Sequence, residues 1–168
     1  LQGNDEIQKL IAASWLMMTN EASATEALKT LARSEDSRVA HLATAQLWRT
    51  QTISANTSDL SRWQAAVERM PENFQAGPRF LIAQARRQMN RNGNREEFNR
   101  ALVGMLQIPI LFSEHYQTAG AALLEAHQML TTAGRTDEAN IVLNELKRDY
   151  ALSSAALSLG TQMETLDQ

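Results

Sequence analysis

The sequence predicts an all-α chain built from short antiparallel helical hairpins, and three observations carry that expectation. Apolar residues recur at steps of three and four almost throughout. The composition is 43% apolar, 21% charged and 5% aromatic, rich in the residues that lose least rotamer freedom in a helix. Seven glycines and three prolines leave little material for a loop-rich β fold.

Taken in order, Ile7, Leu10, Ile11, Met17 and Met18 form a first apolar stripe, and Leu28 and Leu31 mark a shorter second helix over residues 25–32. A third helix starts near Asp36 and Ser37, whose side-chain oxygens can cap it, and runs through Val39, Leu42, Ala43 and Leu47. Polar residues 50–58 then read as a loop. Ser58 and Asp59 can cap a fourth helix, whose Leu60, Trp63, Val67 and Met70 continue to a stop at Pro71. Pro78 resets the chain before a fifth stripe of Leu81, Ile82, Ala85 and Met89, with Asn92 and Gly93 at its end. Phe98, Ala101, Leu102, Met105 and Leu106 make a sixth helix, expected to end at Pro109, and residues 110–112 form a short apolar corner.

The seventh helix carries the clearest seam, Tyr116, Ala119, Leu123, Ala126 and Leu130, with Gly134 just past its last turn. In the eighth, Asp137 and Glu138 sit at the positive end of the helix dipole and Lys147 and Arg148 at the negative end. Its inner face is Ala139, Val142, Leu143, Leu146 and Tyr150. A ninth helix over residues 153–166 offers Ala156, Leu159, Met163 and Leu166. About eight or nine helices result, and the 168 residues are of a size to form one domain, 1–168, without disulfides or metal. The chain starts at Leu1 rather than Met, which reads as a piece of a longer protein and leaves compartment open.

Net charge is −3, so no overall field draws nucleic acid or an anionic membrane. Charge is uneven, however: residues 62–100 carry 8 basic and 4 acidic groups, while residues 101–168 carry 3 and 8. Zero cysteines exclude thiol catalysis, disulfides and Cys-ligated zinc. The longest near-apolar run, Ile11 to Met18, falls far short of the ~20 residues that span a bilayer.

A shift of 41 overlays the fifth and sixth helices on the seventh and eighth. Ile82, Ala85, Met89, Gly93, Glu97, Leu102 and Met105 fall on Leu123, Ala126, Leu130, Gly134, Glu138, Leu143 and Leu146. Such self-similarity marks a stacked array in which each hairpin covers its neighbour's apolar face. Residues Gly134 to Ala139, with Leu143 four further on, resemble the turn and second helix of a tetratricopeptide repeat. Trp63, Ala66 and Pro71 resemble the large residue, small residue and closing proline of such a second helix. The repeats are degenerate: His127 stands where a small residue is usual, Phe98 where the better copy has Ala139, and Asp59 at the comparable place near Trp63. The 41-residue period also exceeds the usual ~34. The resemblance implies a right-handed superhelix, similar to the tetratricopeptide-repeat (TPR) family, whose concave face binds a protein or peptide segment.

No catalytic, phosphate-binding or metal motif occurs. His41, His115 and His127 are scattered, and the last two lie about 18 Å apart along one helix, too far to share an ion. The carboxylate pairs Asp5 and Glu6, Glu96 and Glu97, and Asp137 and Glu138 all fall in first turns, as dipole partners. Asn56-Thr57-Ser58 matches a glycosylation acceptor too short to weigh. Trp15, Trp48 and Trp63 read as core anchors, and the seven methionines as core filler.

The arginine run from Arg79 to Arg100 reads first as a solvated helix face. Within it Arg79 and Arg86 flank the apolar stripe, where guanidinium groups can hold a carboxylate in bidentate fashion. The expected function is therefore a non-catalytic interaction scaffold, with no cofactor and no metal, that grips a peptide through Arg79, Arg86 and His127, an acidic segment being one fitting partner. The alternative is a self-assembly unit that forms a homo-oligomer through its terminal helices.

Overall fold

The computed structural model describes residues 2–19, 22–89 and 94–164. Among these residues the chain is helical with no strand: α1 (Gln2–Leu16), α2 (Ala22–Leu31), α3 (Ser37–Gln51), α4 (Thr57–Val67), α5 (Ala76–Met89), α6 (Arg95–Leu111), α7 (Tyr116–Thr132), α8 (Thr136–Asp149) and α9 (Ser154–Glu164). Single 3-10 turns follow α1 (Met17–Thr19) and precede α5 (Glu72–Phe74). The chain divides into two compact units, Leu1–Leu81 and Ile82–Gln168, with the division inside α5. The expected bend at Asn92 and Gly93, and Leu166, lie outside the described residues.

In the first unit α1, α2 and α3 pack on one another. Their core is Leu10, Ala13, Leu28, Leu31, Val39 and Ala43, joined by the partly buried Met17, Leu42 and Leu47. Ser34 locks the corner between α2 and α3: its hydroxyl donates to Glu6 Oε2 at 2.6 Å and accepts from Asp36 N at 3.1 Å. Asp36 caps α3 as expected, accepting from Arg38 N at 2.9 Å, and its side chain also takes the Arg38 guanidinium. Those bonds hold its carboxyl down at about 2, from 3.8. α3 and α4 meet through Trp48 and Trp63, stacked with centroids 5.0 Å apart and both buried. Leu60, Val67 and Met70 complete the buried face of α4 and the turn after it.

Three expectations for local structure need correction. The fourth helix is capped by Asn56, not by Ser58 or Asp59. Asn56 Oδ1 accepts from Asp59 N while Asp59 Oδ2 accepts from Asn56 N, both at 3.1 Å, so Asp59 closes a capping box from the third helical position. The loop over 50–58 accordingly shrinks to residues 52–56. Pro109 does not end the sixth helix, which runs on to Leu111. Proline forfeits one helical hydrogen bond, but Ile108, Pro109 and Phe112 are buried and Phe112 N still donates to Ile108 O at 2.9 Å, so packing carries the last turn past it.

Trp15 is the third. It is 73% exposed, and Ile7 and Ile11 of the same stripe are 41% and 56% exposed. Two apolar lines run along α1, Leu10–Ala13–Met17 and Ile7–Ile11–Trp15, turned about 100° apart because neighbouring residues differ by that angle. The core of α2 and α3 covers only the first line.

Candidate functional site

The described residues related by the 41-residue shift, within 82–105 and 123–146, lie in the second unit. α7 and α8 form an antiparallel hairpin about residue 133. His127 and Ala139, six residues either side, are joined by His127 Nδ1 to Ala139 O at 3.0 Å. Tyr116 and Tyr150, seventeen either side, have ring centroids 5.2 Å apart. Because a carbonyl only accepts, Nδ1 is the donor in that bond. Gly134 makes the turn with φ +72, a region glycine enters at no steric cost. Arg135 N donates to Leu130 O and Gly134 N to Thr131 O, the paired bonds of a Schellman stop. The whole seam expected for α7 beyond Tyr116, Ala119, Leu123, Ala126 and Leu130, is at most 1% exposed, and it meets Ala139, Val142 and Leu146 of α8.

α5 and α6 are tied at the position equivalent to His127. Arg86, 41 residues before His127, pairs with Glu97, 41 before Glu138, at 3.2 Å; their side chains are 15% and 13% exposed. Glu97 also accepts from Arg100 at 3.1 Å, and Arg100 reaches Glu96, so Glu96, Glu97 and Arg100 form one chain of charges on α6. Asn94 caps that helix by accepting from Glu96 N and Glu97 N. Gly104 permits the helices to close: a Cβ there would meet the Ala83 Cβ at 3.1 Å. In the second hairpin the Arg135 guanidinium, helped by a backbone N–H, holds the Glu138 carboxyl below the ordinary carboxylate range.

The two hairpins touch at matched positions. Gln84 Nε2 donates to Glu125 Oε1 at 2.5 Å, and these two residues stand 41 apart in the chain. Arg87 Nη1 takes the other oxygen, Glu125 Oε2, at 2.7 Å. α5 and α7 therefore touch at Glu125, which stands 41 residues from Gln84. Gln117 Oε1 accepts from Ser154 N at 2.9 Å and Tyr116 Oη accepts from Leu152 N at 3.0 Å, which sets the start of α9 beside the start of α7. Gln117, Ala121, Leu124 and Gln128 form a line on α7 at helical spacing, half-buried to exposed, that carries no charge.

Each of the three residues expected to grip a partner makes a polar contact within the chain. Arg86 and His127 occupy equivalent positions, and each closes its own hairpin. Arg79 belongs to the first unit, where its guanidinium donates to Gln75 Oε1 at 2.8 Å and Gln75 in turn donates to Met70 O. Glu125, the residue that ties the two hairpins, was not singled out in the sequence. The signal was present, since Gln84 and Glu125 are a matched pair in the 41-residue alignment, but polar residues carry no weight in an apolar register. Among the described residues no group of three or more His, Asp or Glu is placed to hold a metal ion, and no helix is long and apolar enough to cross a membrane. No family model matches the chain, and neither curated proteins nor solved structures give a match.

Proposed function

We propose that the chain is a non-catalytic interaction scaffold of the tetratricopeptide-like kind, which holds an extended or helical peptide segment along the side of the second unit where α5, α7 and α9 lie next to one another. The observation that carries this reading is the Gln84–Glu125 bond between residues one period apart. Helices stacked by simple translation leave one face of each first helix in a common surface, and such surfaces are what helical arrays offer to ligands. The uncharged line Gln117, Ala121, Leu124 and Gln128 runs down the middle helix of that surface. The Gln128 carboxamide there pairs with peptide N–H and C=O groups, and Ala121 and Leu124 supply apolar contact. Arg87, 36% exposed beside Glu125, adds a cation for an acidic segment. Arg86 and His127 then serve as the hairpin ties that hold α5 and α7 in place.

A photo-crosslinker at Gln128, compared with one at Asn140 on exposed α8 surface, tests the reading. A chain captured from the native extract only at Gln128, whose isolated segment then binds the purified protein, supports it. Gln128→Glu should weaken that binding roughly fivefold, the scale of one repelled or lost contact. Equal labelling at both positions, or an affinity indifferent to Gln128→Glu, removes the assignment.

A second reading, self-association through α1, is favoured by the exposed line Ile7, Ile11 and Trp15. Its flanking neighbours Gln8 and Ser14 are uncharged, while Lys9 pairs with Asp5 on another side of the helix. Sedimentation at several concentrations decides it: a monomer across the range eliminates the homo-oligomer.

A further inference from the structure

The first residues of α9 are fixed by side chains that belong to α7. The N–H groups that open a helix have no partner within it. Here Ser154 N is received by Gln117 Oε1 at 2.9 Å, Ala156 N by Ser153 Oγ at 3.2 Å, and Leu152 N just before the helix by Tyr116 Oη at 3.0 Å. Ser153 itself is fully buried, and it sits in a notch made by Gly120: a Cβ on Gly120 would lie 2.5 Å from Ser153 Oγ and 2.7 Å from Ser153 Cβ. By contrast, none of the described side chains on α9 is fully buried. Ala155, Ala156 and Leu159 are half-buried and Leu157 is 58% exposed.

From this we infer that α9 is a strap, fastened to α7 at one end by two side chains of α7 and a steric notch, which opens on its own while α7 and α8 stay folded. Apolar burial sets how firmly a helix is held, and the α7–α8 seam has far more of it than the described part of α9. When the strap opens, the Gly120 notch, the Tyr116 hydroxyl and the Gln117 carboxamide become accessible together. The device changes which part of α7 is covered, and it does not depend on whether any peptide binds.

Hydrogen–deuterium exchange on the full chain tests it. In the unmodified protein, amides of residues 155–159 should exchange at least about tenfold faster than those of Leu123 and Leu146, as for a locally opening element. Tyr116→Phe and Gln117→Ala should each speed exchange in α9 by roughly three- to tenfold, the population change from losing one cap, and leave α8 untouched. Gly120→Ala is the sharper variant. Glycine to alanine inside an unobstructed helix slows opening, whereas here the added methyl meets Ser153, so exchange in α9 should rise while α8 remains protected. Gln128→Ala, on the same helix but remote from the caps, should change nothing. Exchange of α9 and α8 in step in the unmodified chain, or acceleration of both helices alike in the cap variants, overturns the strap.

Discussion

The α7–α8 hairpin and helix α1 are both written in apolar residues at steps of three and four, but they meet different fates. The hairpin buries its seam on both sides, with Ala119, Leu123, Ala126 and Leu130 against Ala139, Val142 and Leu146. In α1 Leu10 and Ala13 are buried, while Ile7, Ile11 and Trp15 stay in solvent. Periodicity tells which residues of a helix share a face. It does not tell how many neighbours that helix has, and a helix covered on one side fills only one of its apolar lines.

Leu123 and Ile11 sharpen this contrast from its two ends, and Leu123 gives the larger effect. It has 0% exposure, and truncation removes three carbons from a fully buried site on a helix packed against α6 and α8. Leu123→Ala should cost about 2 to 5 kcal/mol by chemical denaturation. A cost near zero would mean that the hairpin does not close over this position.

Arg86 comes next. An arginine beside an apolar stripe invites the expectation that charge reversal harms partner capture and spares stability. Its ion pair with Glu97, with both side chains largely buried, changes that expectation. Arg86→Glu places a carboxylate against Glu97 where solvent screens it poorly, and a loss of roughly 1 to 3 kcal/mol follows. Arg86→Met should recover part of it, because the stem still packs. Thermal melts of the two variants separate the roles: unchanged midpoints for both would return Arg86 to the solvent-facing side and to partner binding.

The same residues show what was legible in the sequence. The nine helices among the described residues were anticipated as about eight or nine, most within a few residues, because stripes, caps and Gly134 act locally. The 41-residue shift was read from apolar positions, and Gln84 and Glu125, which stand at that shift, are hydrogen-bonded to one another. What was not legible depends on who stands opposite. Arg86 as a hairpin tie needs the position of Glu97 in space, and Trp15 in solvent needs the neighbours of α1. Gly120 as a notch needs Ser153, thirty-three residues on, to be brought against it. The Asn56 capping box was readable as Asn followed three residues later by Asp, but Ser58 and Asp59 offered nearer decoys.

Ile11 carries the smallest effect and the finest discrimination. At 56% exposure on α1 it contributes little to the core of Leu10, Ala13 and Leu28, so Ile11→Gln should shift stability by no more than about 0.5 kcal/mol in dilute solution. Glutamine is close to leucine in helix propensity and better than isoleucine, so α1 itself does not suffer. The measurement gains force when repeated at high concentration. A monomer gives the same small shift at every concentration, since stability is then a property of one chain. If copies pair through α1, mass action stabilises the unmodified chain as concentration rises, and the gap to Ile11→Gln widens with it. A large shift in dilute solution would contradict both cases, because it would require Ile11 to be buried within the single chain, on the same side as Leu10.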